Sequence, residues 1–332
     1  MKRTALWALL LAVFILTACG GADTADTPAA PDPPPAGELP EAETPPGPAE
    51  TPSPDPTETP GQKGPYPIAV LDNESCAVTV TGVTPPAYEG APLHVEAELV
   101  NKSEEPLNFT VKDPGCAVNG VQGDASMLEE VPAGETAVSY IAVRPAYGWG
   151  DAVDYGIGEY GYTDISLALR VYNADYEEMG AALFHLYPYG EDNAVRKEFA
   201  ADPDCQPLFD DEYAAAYVLS VSRTDGEGPS PGGYAVSFCF VNKTDTVLRL
   251  GLSTGDPREY ALYLNGTVGF RPWWSVSVMA DAWCFDTLTI GMEDLAELGI
   301  EELTDLRGTI QIAHKDDPTV ICGYEDIQLV VE

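Results

Sequence analysis

Basic residues and histidines are scarce in this chain. Its 332 residues include 16 Lys and Arg against 54 Asp and Glu, for a formal net charge of −38, and only 3 His. Nucleic-acid binding needs a basic surface, and adsorption to anionic lipid needs clusters of Lys and Arg. The composition therefore excludes nucleic acid as a partner and predicts a strongly hydrated acidic surface.

The carboxylates also lack the spacing of a calcium loop. The acidic groups at 72–74, 210–212 and 316–317 lie side by side, whereas a calcium loop places its ligands at alternate positions and closes with a Glu. We therefore expect no metal site and no cofactor.

No apolar run is long enough to span a bilayer. The longest begins at Leu6 and ends at Leu16, which is shorter than the roughly 20 residues that a membrane helix needs. It follows Lys2 and Arg3, as in the hydrophobic region of a secretion signal. The next residues complete Leu16-Thr17-Ala18-Cys19.

This tetrapeptide resembles the lipobox of bacterial lipoproteins. The resemblance implies that residues 1–18 are a signal peptide that is removed, and that Cys19 is acylated and becomes the first residue. More than one acyl chain gives stable anchoring. The expected location is the extracytoplasmic face of the bacterial plasma membrane, with the membrane as partner through the N-terminal lipid. An ordinary signal peptide with a chance Cys, or a signal anchor, is the alternative.

Residues 19–64 have the composition of a disordered stalk. They are rich in Pro, Thr, Ala and Glu, and Leu39 is the one large aliphatic residue among them. Such a segment cannot bury enough apolar surface to offset its chain entropy. Proline favours the extended polyproline II conformation, so this stalk could reach on the order of 100 Å.

The remainder of the chain contains one module twice. The segment Val-Asn-Lys-Ser at 100–103 aligns with Val-Asn-Lys-Thr at 241–244, and the same offset aligns Thr163-Asp164 with Thr304-Asp305. Two further matches, in the same order, are Asn119-Gly120 with Asn265-Gly266 and Asp72-Asn73 with Asp210-Asp211. The repeat predicts two domains, 65–190 and 191–332.

Each copy has the pattern of short β-strands. Val95, Ala97 and Leu99 alternate with polar residues, and the second copy places Val236, Phe238 and Phe240 at the equivalent inward positions. Cys239 then falls on the outward face. Only residues 292–299 look helical. The fold class predicted is all-β, with two tandem β-sandwich domains.

The strand that ends in Val-Asn-Lys-Ser/Thr, the Asn-Gly turn and the Thr-Asp-Ile/Leu segment resemble a known family. It is the immunoglobulin-like module of uncharacterised surface lipoproteins from Gram-positive bacteria. The resemblance covers most of residues 70–330 and implies fold and location, but no chemistry. The second copy departs from it, with Arg271-Pro272-Trp273-Trp274 where the first has a Pro-Ala-Gly turn.

Catalytic motifs are missing or out of context. Residues 156–161 match GxGxxG, but the motif binds pyrophosphate between a strand and a helix N-terminus, and here acidic residues precede it and a predicted strand follows. His94, His185 and His314 lie on or beside predicted strands, with no HExxH spacing. We predict no catalytic residue and no enzyme. A triad needs no sequence proximity, so a hydrolase acting on envelope polymer stays open.

Six cysteines follow Cys19, an even number that permits three disulfides in an exported chain. Their positions do not match between the two copies, which favours free thiols for some of them. Cys76 with Cys116 is the first pairing to test.

Aromatic residues supply the candidate ligand-binding positions. Aromatic faces beside carboxylates can stack on sugar rings, although core packing is the commoner use of Trp. The function predicted is a non-enzymatic surface lipoprotein that binds or displays at the cell envelope, with an envelope protein or glycan as partner. A sensory or accessory subunit of an envelope complex is the alternative. The candidate binding residues are Tyr147, Trp149, Tyr155, Tyr160, Trp273 and Trp274.

Overall fold

Strands make up most of the part of the chain that the structure describes. The computed structural model describes residues 66–88, 90–111, 114–145, 156–202, 205–224, 232–252, 262–266, 268–270, 272 and 274–331. The signal peptide, Cys19 and the stalk to residue 64 lie outside these residues. The described residues belong to one compact unit, Glu58–Glu332.

Among the residues that the structure describes, the first half of this unit has nine strands and one short helix. The strands are β1 (Ile68–Asp72), β2 (Cys76–Thr84), β3 (Leu93–Asn101), β4 (Leu107–Val111), β5 (Cys116–Val118), β6 (Val121–Val131), β7 (Thr136–Pro145), β8 (Ile165–Tyr172) and β9 (Glu178–Leu186), and the helix is α1 (Ile157–Tyr160).

In its described residues the second half contains ten strands, one α-helix and a short 3-10 helix at Glu191–Asn193. The strands are β10 (Gln206–Asp210), β11 (Ala214–Thr224), β12 (Gly233–Asn242), β13 (Leu248–Leu252), β14 (Leu262–Leu264), β15 (Val268–Phe270), β16 (Ser275–Val278), β17 (Trp283–Gly291), β18 (Asp305–His314) and β19 (Ile321–Val330). The α-helix is α2 (Met292–Glu297), within the segment predicted to be helical.

The same strand order recurs in both halves. The first half has two antiparallel series of strands, β1-β2-β3-β7 and β6-β4-β8-β9. Strand β6 also pairs with β7 and so connects the two series. The second half has β10-β11-β12-β17 and β16-β13-β18-β19. The prediction of an all-β fold is confirmed.

In each half, the inward-facing apolar residues of the strands fill a core of their own. In β3 the predicted inward residues are fully buried, and side chains of β4 and β8 pack against them. In β12 the predicted inward residues Val236, Phe238 and Phe240 are also buried, against β13 and β18. Both sequence-based strand registers are therefore confirmed.

The outward position predicted for Cys239 is wrong. Cys239 is fully buried and belongs to the apolar cluster of the first half. The outer face of β12 is covered because Phe199, Tyr217, Trp283 and Phe285 form an aromatic group where the two halves meet. The alternation of residues along one strand cannot show that another part of the chain packs on its outer face.

Candidate functional site

One asparagine in each half holds the loop that follows β3 or β12. Asn101 Nδ2 donates to the carbonyls of Glu105, Val131 and Pro132 at 2.8, 2.9 and 3.1 Å. Asn242 Nδ2 donates to Thr246, Val278 and Met279 at 2.7, 3.1 and 2.9 Å. Both side chains are buried and fully used, so the repeated Asn-Lys-Ser/Thr motif has a structural role.

These bonds correct the sequence alignment of one turn. The counterpart of the Pro132–Gly134 turn is residues 279–281, because Asn242 contacts Met279 as Asn101 contacts Pro132. Gly134 and Asp281 both have positive φ, 69° and 48°. The segment 271–274 therefore does not occupy this position, contrary to the prediction.

A second asparagine holds each Asn-Gly turn against the next strand. Asn119 and Asn265 have φ of 51° and 50°, a left-handed conformation that Asn tolerates better than most residues. Asn119 Oδ1 accepts from Thr163 N, Thr163 Oγ1 and Asp164 N at 3.1, 2.9 and 3.2 Å. Asn265 Oδ1 accepts from the same three groups of Thr304 and Asp305.

Asp164 is the centre of a polar cluster that sequence reasoning missed. Its side chain is 3% exposed. One carboxylate oxygen accepts from His185 Nδ1 at 2.8 Å and the other from Arg196 Nε at 2.6 Å. Burial alone would raise the pKa of Asp164, but the hydrogen bonds and charges of His185 and Arg196 outweigh it and hold this pKa below its ordinary value.

A buried Asp that orients a His also occurs in catalytic triads. The equivalent cluster in the second half shows whether this arrangement depends on a His. There Asp305 accepts from Gln328 Nε2 at 3.2 Å and from Arg307 Nε at 2.9 Å. Gln328 occupies the strand position of His185, since each lies one residue before a Leu that pairs with the residue following the Asp. Gln cannot act as a general base, so the shared arrangement serves to join two strands.

Arg196 also links the two halves of the unit. Its guanidinium NH1 lies 3.7 Å from Asp281 Oδ2 in the second half. The next residue, Lys197, donates its backbone N–H to Asn119 O at 2.7 Å and accepts from Trp283 Nε1 at 2.8 Å. The segment of Arg196 and Lys197 therefore contacts both halves. In the sequence, its importance was indicated only by the rarity of basic residues.

Further contacts complete this junction. Gln122 exchanges two hydrogen bonds with the backbone of Ser277 and Met279, at 2.9 and 3.0 Å. Val121 of β6 pairs in parallel with Trp283 of β17. Ala117, Val247, Met279 and Ala282 form a small buried cluster between the halves. The junction thus combines apolar packing with paired polar groups.

Each half also has an outer end, which faces away from the other half. The residues there differ from their counterparts in the apolar cluster at the junction. Pro106 and Pro132 take the positions of Val247 and Met279 at the free end of the first half, and both are exposed. In the second half Tyr263 takes the position of Ala117 and is 42% exposed. The apolar residues that pack at the junction are therefore not repeated at the outer ends of the two halves.

Four of the six predicted ligand-binding aromatics, Tyr147, Trp149, Tyr155 and Trp273, lie outside the described residues. Tyr160 ends α1 and is 40% exposed. Trp274 is half-buried, and its ring lies 5.6 Å from Phe238 and 5.5 Å from Phe240. These ring contacts place Trp274 against the core of the second half, and its buried Nε1 has no hydrogen-bond partner in the structure.

The six cysteines after Cys19 are free thiols, so the pairing of Cys76 with Cys116 considered from the sequence is not formed. Cys76 Sγ lies beside Gly180 while Cys116 Sγ lies beside Gly123, on different strands. Burial raises the pKa of the Cys116 and Cys239 thiols. Buried thiols of raised pKa are poor nucleophiles.

Residues 251–255 match the GxSxG motif of hydrolases. Its Ser253 lies outside the described residues. In hydrolases this motif joins a strand to a helix at the top of an α/β sheet, whereas β13 belongs to an antiparallel sheet. His314 pairs with Leu248, at the other end of β13 from the motif.

Among the described residues, no group of three or more His, Cys, Asp or Glu is arranged to hold a metal ion. In the same residues no helix is both long enough and apolar enough to cross a membrane.

Comparisons with known proteins identify no family. No family model matches the chain, and no curated protein matches it. Two solved structures of CsxA show weak similarity. One is the exo-beta-D-glucosaminidase CsxA, in a study of inhibition by a castanospermine and an amino-australine analogue, with 10% identity over 78% of this chain and 26% of that chain.

The other is the Amycolatopsis orientalis exo-chitosanase CsxA, with 12% identity over 78% of this chain and 27% of that chain. The TM-score is 0.21 in both cases. The chain therefore spans about a quarter of the length of these structures, and a similarity at this level carries no argument about fold or activity.

Proposed function

We propose that this protein is a non-enzymatic lipoprotein of the bacterial cell surface. In this proposal Cys19 carries the lipid, residues 19–64 form the stalk, and the two modules bind or display at the envelope. The lipobox and the stalk composition support the anchor. The ligand is an envelope protein or a glycan.

We further propose that each half is an immunoglobulin-like sandwich, with domains at 65–190 and 191–332. The recurring order of a β1-β2-β3-β7 series and a β6-β4-β8-β9 series supports this assignment. The strand β6 pairs with both β4 and β7 and so connects the two series.

The binding proposal rests on one observation: the polar residues that the two halves share all make hydrogen bonds within the protein. Asn101, Asn119 and Asp164, like their counterparts, are consumed by internal hydrogen bonds. The repeated residues therefore build a scaffold. Binding residues commonly concentrate in the connections of a rigid scaffold, and the candidate aromatics of segments 146–155 and 271–274 are not part of the motifs that the halves share.

A binding screen tests this proposal. The chain from residue 65 onward is offered to envelope glycans and to purified envelope proteins, with Trp149→Ala and Trp274→Ala as a matched pair. We expect Trp149→Ala to abolish binding and leave stability unchanged. Trp274→Ala should instead cost about 3–5 kcal/mol of unfolding free energy, because its ring packs on Phe238 and Phe240. Absence of any ligand, or destabilisation by Trp149→Ala, would contradict the proposal.

The Asp164–His185 pair favours one second candidate, hydrolysis of envelope polymer. His185→Gln separates the two functions, because it copies the residue that already stands at 328. If His185 is structural, the variant folds with the stability of the parent and binds ligand equally well. A polymer-degrading activity of the parent chain that His185→Gln abolishes would establish the hydrolase instead.

The anchor has its own test in Cys19→Ala. In a bacterial host supplied with labelled palmitate, we expect the parent chain to be labelled. The variant should be unlabelled, and either released or left as uncleaved precursor. Label that persists on the variant would contradict lipidation at Cys19.

A further inference from the structure

Three exposed apolar side chains lie together on the outer face of the first half. Leu128 of β6 and Val138 and Tyr140 of β7 are each more than half exposed. The register in which β6 pairs with β7 places Leu128 opposite Tyr140. The two strands are still side by side one residue further on, where Ser139 Oγ donates to Glu129 Oε2 at 3.0 Å. We call Leu128, Val138 and Tyr140 the apolar patch.

A groove of about 400 Å³ opens beside the apolar patch. It lies where β6 leaves β7 and pairs with β4. Leu128 belongs to both the patch and the groove, so the two form one surface. Contiguous exposed apolar surface that is rimmed by polar residues commonly marks an interaction site. The groove is lined by Thr110, Val111, Ser126, Met127 and Leu128.

The second half has no equivalent of this patch. Ser275 takes the position of Leu128, because each pairs with the same position of the preceding strand, β13 or β4. Thr287 takes the position of Tyr140 in the same way, through the pairings of β17 with β12 and of β7 with β3. Two polar residues at these positions are compatible with the module, so the fold itself does not require the patch.

The third position of the patch shows what this face of the sheet can accept. Phe285 takes the position of Val138, and it is covered in the second half. The ring centroid of Phe199 lies 6.4 Å from that of Phe285 and 5.6 Å from that of Trp283. Phe199 ends the segment 195–199, which has no helix or strand and contains two of the rare basic residues. The covering element is therefore an irregular basic segment with an aromatic anchor.

The uncovered face of the first half is acidic. Each patch residue of β7 lies opposite a carboxylate of β3, Glu96 or Glu98, and Thr81 Oγ1 donates to Glu96 Oε1 at 2.9 Å. Strands β2, β3 and β6 contain no Lys or Arg. A second copy of this strongly acidic chain would be repelled, whereas Lys and Arg are attracted and can lay their apolar stems over the patch.

We propose that the apolar patch and its groove bind an extended basic segment of an envelope protein. An aromatic or large aliphatic side chain of that segment occupies the groove beside Leu128, and its Lys or Arg side chains pair with Glu96 and Glu98. This inference rests on the function proposed above, since a protein displayed at the envelope meets such partners. It names a protein segment, and not a glycan, as the ligand.

Fluorescence anisotropy with the full-length chain, purified in detergent, tests the proposal against a blank of detergent alone. The probes are three labelled synthetic peptides of equal length, in which Lys alternates with Phe, Lys with Gly, or Glu with Phe. The Lys–Gly peptide should bind at least about tenfold more weakly than the Lys–Phe peptide, because anchor side chains supply most of the binding energy. The Glu–Phe peptide should not bind. Equal binding of the two Lys peptides would overturn the proposal.

Variants of the chain locate the binding site. Leu128→Ser with Tyr140→Thr copies the residues of the second half and should weaken Lys–Phe binding about tenfold or more. Tyr324→Thr is the matched control, since Tyr324 of β19 is 51% exposed and Tyr140 is 53% exposed. Equal affinities of the double variant and this control would overturn the proposal. Glu98→Gln should weaken binding at low salt, and an unchanged affinity would also overturn it, even if the double variant fails to fold.

Two further measurements separate a failure of this inference from a failure of the function proposed above. Peptide binding that Trp149→Ala abolishes and the double variant retains would assign binding to the segment 146–155 and overturn the role of the patch. Binding of envelope glycans without binding of the Lys–Phe peptide would overturn the inference and leave the proposed function intact. Peptide binding that only the patch variants weaken would support the inference.

Discussion

The junction predicts that Trp283 couples the unfolding of the two halves. Its side chain is buried, its ring centroid lies 5.6 Å from that of Phe199, and its indole N–H donates to Lys197 O at 2.8 Å. Trp283→Ala removes the ring and the donor together. Core truncation of an aromatic residue costs about 3–5 kcal/mol. Because the loss falls on contacts between halves, calorimetry should resolve two transitions where the parent shows one.

Trp283→Phe isolates the hydrogen bond, and Trp274→Phe is its control. Both substitutions keep an aromatic ring, but Trp274 Nε1 has no hydrogen-bond partner to lose. A typical intramolecular hydrogen bond contributes about 1 kcal/mol, so Trp283→Phe should cost about 1 kcal/mol more than Trp274→Phe in urea unfolding of the chain from residue 65. An equal cost, or a larger one for Trp274→Phe, would refute the role given to the indole N–H. A single transition in Trp283→Ala would refute the coupling.

Three other predictions concern the core, the polar cluster and the boundary between domains. Phe240→Ala should cost roughly 3–5 kcal/mol in urea unfolding and Glu98→Ala less than about half a kcal/mol, because the first is fully buried and the second exposed; the reverse order would mean a shifted register. Asp164→Asn should lower the thermal midpoint at pH 7, and this loss should shrink as the pH falls through the depressed folded-state pKa of Asp164; a loss that is equal at pH 7 and pH 2 would contradict the ion-pair role. A fragment 65–200 should unfold at higher urea than 65–190, because it keeps the Arg196 and Lys197 contacts; equal midpoints would show that these contacts add nothing.

Strand alternation predicted the elements whose environment is local. Phe238 and Phe240 were correctly placed on the inward face of β12 because a strand repeats every two residues. The repeat also predicted which residues play equivalent parts. Asn119 and Asn265 occupy the same bonding pattern, since equal local sequences form equal turns.

Features that depend on the meeting of distant segments were not predictable. Cys239 was placed on the outside because its pattern is that of an exposed position, yet the first half covers it. Asp164 meets Arg196 across 32 residues, and no periodicity links the two. The turn at 279–281 was missed because it shares only its central Ala with Pro132-Ala133-Gly134. Both turns nevertheless place their third residue in the left-handed region.

The most direct test of the surface-lipoprotein proposal is the intact mass of the protein extracted from the membrane of a bacterial host. The account predicts a chain that begins at Cys19 and carries the added mass of at least two acyl chains. A chain that still begins at Met1, or one that is cleaved but carries no acyl mass, would contradict it.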